Sequence, residues 1–283
     1  MNKIKIESLL TLVNKKKIAQ NFGNAFFYMG GTVVQFLISI FTLPIYSRYL
    51  SPVDFAILGY YTAINAFFFP LFDLSMSSYY LANYYSPRTT NKNEELSYAV
   101  NILNVSNILI GVIGFFVVAA YFKTFDVQFP LYPYAIIVLL YLFFNKYRTL
   151  YLIDARIQKK GLYYFLVSAS AVVFNATFSI FFVVELKAGA AGRLGGQLVS
   201  QFLIAGIVLF VWLRSKRFSF RLTFNRTKLA DSFRFAWPLV LAGYSYYPIG
   251  NIDKIFLERL HNLNEFGFYN VGLIVSSYVG VFF

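Results

Sequence analysis

Seven apolar runs of roughly twenty residues each, separated by short polar loops, constrain this chain more than any other feature. They are Asn24 to Tyr46, Phe55 to Leu81, Leu96 to Phe122, Leu131 to Leu152, Leu162 to Leu186, Leu194 to Leu213 and Phe233 to Leu257. An eighth begins at Phe266 and meets the last residue, Phe283, before it completes a span. In hydrocarbon, the backbone N–H and C=O groups of such a run find partners only within a helix or a closed barrel, and runs this long and continuous select the helix. Charged residues make up 13% of the chain, about half the share of an ordinary globular domain, and the mean hydropathy is +0.59. The expected fold is therefore all-α and polytopic, with about eight transmembrane helices.

The formal net charge is +13, but the cations sit in the gaps between runs rather than in one patch. That distribution is topogenic, and it removes nucleic acid as a partner. Nineteen of the twenty-five Lys and Arg fall on one set of loops, with Lys146, Arg148, Arg156, Lys159 and Lys160 assigned to the loop after the fourth run. The other six are Arg48, Lys123, Lys187, Arg193, Lys254 and Arg259. The imbalance places the amino terminus in the cytoplasm. Clusters such as Tyr79, Tyr80, Tyr84 and Tyr85 read as interfacial anchors. The absence of Cys and the single His261 leave no disulfide, thiolate metal site, Cys nucleophile or histidine cluster.

Two stretches repeat. Arg48 ends one apolar run, and Asp54-Phe55 opens the next; Arg259 and Glu265-Phe266 do the same 211 residues later. An even number of spans between the copies makes them parallel repeats. The expected organisation is a cytoplasmic amino-terminal segment over 1–23, a six-helix bundle over 24–213, a basic cytoplasmic linker over 214–232, and two helices of a second, truncated bundle over 233–283. The whole then reads as an amino-terminal fragment.

The stretch Leu43-Pro44-Ile45-Tyr46-Ser47-Arg48-Tyr49-Leu50-Ser51-Pro52, followed by Asp54-Phe55 and Gly59, resembles the polysaccharide transporters of the multidrug/oligosaccharidyl-lipid/polysaccharide exporter superfamily, of the O-antigen flippase type. Phe235-Ala236-Trp237-Pro238-Leu239, leading to Asp253-Lys254-Ile255-Phe256-Leu257, carries the same resemblance. It implies two six-helix bundles around a cavity that opens alternately to each side. It also implies a function: moving an undecaprenyl-pyrophosphate-linked oligosaccharide across a bacterial inner membrane for O-antigen or capsule synthesis. The implied partners are that lipid-linked oligosaccharide, membrane lipids, a coupling ion (H+ or Na+) and polysaccharide polymerase machinery. The chain departs from the family pattern after Asp73-Leu74-Ser75, where a basic residue is expected and Tyr79 and Tyr80 occupy the region.

Such a substrate needs a hydrated, partly cationic passage, and charges inside spans are its natural lining. The candidates are Asp73, inside the second run, Asp253 and Lys254 near the end of the seventh, the repeated pair Arg48 and Arg259, and Arg193, which opens the sixth. For each the alternative is structural: a helix-to-helix hydrogen bond or an interfacial anchor. The amides of Gln35, Asn65, Asn175, Gln197 and Gln201 suit sugar hydroxyls and helix packing equally. Ala188, Gly192 and Gly196 form a small-residue series for close packing, while Pro44, Pro70, Pro238 and Pro248 are expected to kink helices. No catalytic constellation, cofactor motif or Walker loop is present, so no enzymatic activity is expected. The alternatives are a cation-coupled multidrug exporter of the same superfamily and a membrane glycosyltransferase or polymerase component.

Overall fold

In the computed structural model, residues 3–87, 91–220, 226–259 and 262–279 are described, with side chains from Gly23 to Tyr278 within those stretches. All regular elements among them are helical. Helix α1 (Lys3–Tyr49) is about 70 Å long, more than twice a hydrocarbon core, and its apolar part is Gly23–Tyr49. The segment expected to be separate over 1–23 therefore continues into the same helix from Lys3 onward.

Helix α2 (Pro52–Asp73) starts at a capping box. The Ser51 hydroxyl accepts the Asp54 amide at 3.1 Å, and the Asp54 carboxylate accepts the Ser51 amide at 2.9 Å. The second run is not one helix: Leu74 (φ 44°) and Ser75 (φ 49°) are left-handed, and α3 (Met76–Tyr84) begins beyond them. Pro70 cannot donate an amide hydrogen bond one turn before the break, and the Leu74 amide closes the turn onto the Pro70 carbonyl at 3.0 Å. Helices α4 (Lys92–Phe125) and α5 (Tyr134–Ile157) follow. Next come α6 (Gly161–Ile180), extended by a π turn at Phe181–Glu185, and α7 (Gly189–Arg214).

Helix α5 corrects the loop assignment. It runs on to Ile157, so Lys146 and Arg148 lie within a helix rather than in a loop, and Arg156 lies in its last turn. Removing the two internal residues takes the nineteen to seventeen; Arg193 and Lys254 of the opposing six also lie within helices, so the sign of the bias is unchanged.

The seventh run is also divided, into α8 (Arg226–Ser245) and α9 (Tyr247–Glu258), with Pro248 at the start of the second piece. Helix α10 (Leu263–Val279) closes the described chain. Among the described residues six stretches are long and apolar enough to cross a membrane: Gly23–Tyr49, Pro52–Tyr84, Lys92–Phe125, Tyr134–Ile157, Gly161–Glu185 and Gly189–Arg214. The protein is thus an all-helical, multi-pass membrane protein.

Small residues set the closest packing. A Cβ on Gly31 would stand 3.1 Å from Ser168 where α1 meets α6, and one on Gly196 would stand 2.4 Å from the Ser179 backbone where α6 meets α7. Replacing side-chain bulk by backbone contact is how helices associate where no hydrophobic drive exists. The segment after α7 is docked rather than loose. Phe218 is buried beside Trp212, the Ser219 amide donates to Ser97 Oγ at 3.0 Å, and Asn101 Nδ2 donates to the Ser219 carbonyl at 2.9 Å. Lys228 then pairs with Glu95 at 2.7 Å on α4. Arg88, Arg221 and His261 lie outside the described residues.

Candidate functional site: a polar cleft within the helices

Helices α1, α5, α6 and α7 enclose a cleft of about 130 Å³ whose walls are mainly polar, in contrast to the apolar faces around it. Gln35 and Ser39 come from α1, Tyr141 and Arg148 from α5, Asn175 from α6, and Gln197, Ser200 and Gln201 from α7. Each helix is otherwise apolar enough to cross a bilayer, so these side chains converge inside it rather than at its surface. No carboxylate lines the cleft.

Two guanidinium groups dominate its electrostatics. Arg148 reaches the cleft from the middle of α5, and its Nε is buried without a hydrogen-bond partner among the described residues. An Arg at this depth costs at least ~2.5 kcal/mol on insertion scales, and no acid beside it offsets the charge. Arg193, in the second turn of α7, connects through Asn175. Its Nη1 donates to Asn175 Oδ1 at 3.1 Å and to Ser179 Oγ at 2.9 Å, and the guanidinium stands 4.5 Å from the Tyr46 ring centroid. Asn175 thus carries Arg193 on one side and lines the cleft that Arg148 enters.

The neutral lining is held by bonds pointing into the walls. Gln201 Nε2 donates to Asn145 Oδ1 at 2.7 Å, and Ser200 Oγ donates to the Ala171 carbonyl at 3.0 Å. What faces the space is an amide- and hydroxyl-rich surface with an uncompensated positive charge. Chemically, it accepts an anion and the hydroxyl groups of a polar ligand.

Of the residues singled out in the sequence, the amides of Gln35, Asn175, Gln197 and Gln201 come together here, while Asn65 does not; Arg193 does not line the cleft and reaches it only through its bond to Asn175. Asp73 stands elsewhere, at the break between α2 and α3, where its carboxylate accepts the Ser77 hydroxyl at 2.8 Å. Asp253 and Lys254 do not pair with one another. Tyr269 donates to Asp253, while Lys254 donates to Asn251 Oδ1 at 3.0 Å and to the Gly250 carbonyl at 3.3 Å. Arg48 is exposed at the end of α1, and Arg259 is exposed at the end of α9 with its guanidinium 4.8 Å from the Phe125 ring centroid.

Three charged groups escaped sequence reasoning. Arg148 and Lys146 count among the loop cations by sequence; Lys146 is only 3% exposed, donates to the Leu103 carbonyl at 3.2 Å and lies 3.7 Å from the Phe143 ring centroid. The available signal was the lack of any Gly or Pro between Pro133 and Gly161, which lets one helix run through both cations. Asp154 is the third. It is 2% exposed and receives the Tyr80 hydroxyl at 2.7 Å and Arg217 Nη2 at 3.0 Å.

A bundle of long apolar helices around a cationic, amide-lined cleft defines a multi-pass membrane protein. The family model for the polysaccharide biosynthesis proteins matches residues 22–280, and the chain belongs to that family. Neither the comparison with curated proteins nor that with solved structures gives a match. Family membership assigns the protein a role in polysaccharide biosynthesis or transport.

Proposed function

We propose that this chain is a flippase, or the amino-terminal part of one, that moves a lipid-linked oligosaccharide of the undecaprenyl-pyrophosphate type across a bacterial inner membrane. The observation that carries the reading is Arg148 in a carboxylate-free, amide-lined cleft, with Arg193 hydrogen-bonded to the lining residue Asn175. The pyrophosphate supplies the anion that these cations lack, and the sugar hydroxyls match the amides. A drug exporter for cations is disfavoured by the same charge balance, and no enzymatic step is required for translocation.

In this reading about eight helices cross the membrane, the amino terminus is cytoplasmic, and 24–213 forms a first bundle linked through 214–232 to the opening of a second at 233–283. The α2–α10 contact supports that division. Gly59 and Asn270 are 211 residues apart, the offset of the repeat, and they face one another. A residue that meets its own repeat counterpart lies on the pseudo-twofold axis. With the amino terminus inside, this contact closes the outer ends of the two bundles, and alternating access requires it to open. The coupling ion, H+ or Na+, and a downstream polymerase belong to the same scheme, with Asp73 as the carboxylate available for ion coupling.

The experiment is complementation of a flippase-null strain with wild-type and Arg148→Gln chains, read as surface polysaccharide. Restoration by the wild type and loss in the variant, at equal membrane abundance, is the expected result. Rescue of drug export in place of polysaccharide overturns the assignment.

A further inference from the structure

A second cavity, of about 460 Å³, shares no lining residue with the polar cleft. Its walls are Ile64, Phe67 and Phe68 of α2, Val117, Val118 and Tyr121 of α4, and the length of α9 from Tyr247 to Phe256, with Arg259 at one end. The groove is apolar along its body and cationic at its tip.

Two features make the tip more than an anchor. The first is charge. The ion pairs among the described residues are Arg217–Asp154 and Lys228–Glu95, so no acid among the described residues pairs with Arg259, whose guanidinium stacks on Phe125. Arg48, its counterpart in the repeat, is also exposed but lines neither cavity. The second is depth. Helix α9 is about 18 Å long, close to one leaflet of a ~30 Å hydrocarbon core. In the eight-span arrangement proposed above, a cation at this helix end lies at headgroup level and the groove extends one leaflet inward.

We propose that this groove is a binding site for an anionic phospholipid, with the phosphate on Arg259 and one acyl chain lying between α2, α4 and α9. Basic groups at the ends of intramembrane grooves recognise lipid phosphates by charge. The volume falls within the range of lipid- and drug-sized pockets. The reading needs α9 to lie within the membrane, as the eight-span arrangement has it, and is otherwise independent of what the cleft transports.

The full-length chain, purified in detergent with equal phosphatidylglycerol and phosphatidylcholine, is examined by native mass spectrometry. The wild type is expected to retain phosphatidylglycerol in excess. Arg259→Gln is expected to reduce that excess roughly fivefold, Arg259→Lys to keep most of it, and Arg48→Gln to leave it unchanged. Val118→Trp, which fills the groove, is expected to abolish retention of either lipid. A wild type that shows no excess, or an Arg259→Gln chain that keeps all of it, overturns the proposal. So does displacement of phosphatidylglycerol by polyprenyl phosphate at equal concentration, because the groove then belongs to the transported lipid.

Discussion

Gly59 of α2 and Asn270 of α10 meet face to face: a Cβ on Gly59 would lie 2.7 Å from Asn270 Cγ, and Asn270 Nδ2 donates to the Phe55 carbonyl at 2.8 Å. The absence of a side chain on one repeat copy makes room for the amide on the other. Asn270 is only 6% exposed, so its bond is made in a setting where an unpaired amide would be costly. The contact fixes how closely the starts of the two helices approach, and separating α10 from α2 there has a definite energetic cost.

Gly267, three residues earlier on α10, gives the sharper test. A Cβ there would fall 1.9 Å from the Pro52 carbonyl oxygen. Gly267→Ala is expected to force α10 off α2 and to cost about 1–3 kcal/mol, as overpacking does. The thermal midpoint in detergent should fall measurably, and an unchanged midpoint would show that the two helices part without cost.

The two arginines of the cleft are expected to behave differently. Arg193 satisfies Asn175 and Ser179, so Arg193→Gln should lower stability by about 1–3 kcal/mol by leaving buried groups unpaired. Arg148 has no such debt at Nε. Arg148→Gln should keep the thermal midpoint and reduce surface polysaccharide, with Arg148→Lys retaining part of it. A stability loss at Arg148 equal to that at Arg193 would assign both residues to structure.

Asp154 fastens the segment after α7 to the bundle. Its carboxylate is buried and holds both Tyr80 and Arg217, whose side chain keeps 16% exposure. Asp154→Ala is expected to cost about 3 kcal/mol, the low end for a broken buried pair because Arg217 reaches water. Trypsin should then cut after Lys216 or Arg217 faster than in the wild type. Equal cleavage rates would mean that the docking rests on Phe218 and Ser219 alone.

Lys146 offers a test of a different kind. It is a buried cation with a carbonyl and two aromatic rings for company and no acid. Replacing such a group by an apolar residue of similar length is neutral or stabilising in many folds. Lys146→Met is therefore expected to raise or keep the thermal midpoint; a fall would show that the ammonium has an essential structural partner.

The helical, membrane-crossing class was readable from run length alone, because hydrocarbon leaves a chain few ways to satisfy its backbone. The helices that follow the Arg48 and Arg259 motifs are in contact at Gly59 and Asn270. The small-residue series around Gly192 and Gly196 also packs as its spacing indicates. These are local or periodic properties, and a sequence carries them directly.

Tertiary structure decided the rest. Leu74 and Ser75 break a helix at residues with no intrinsic preference for the left-handed conformation; Pro70, one turn earlier, marks the neighbourhood but not the residues at which the break falls. Arg148 became a cleft residue, and Lys146 a wall residue, because α5 runs unbroken through both and neighbouring helices cover the part that carries them. Asp154 acquired partners from Tyr80 and Arg217, 74 and 63 residues away. A charge inside a membrane is tolerable only where other elements enclose it, and which elements do so is a property of the packed bundle rather than of any one run.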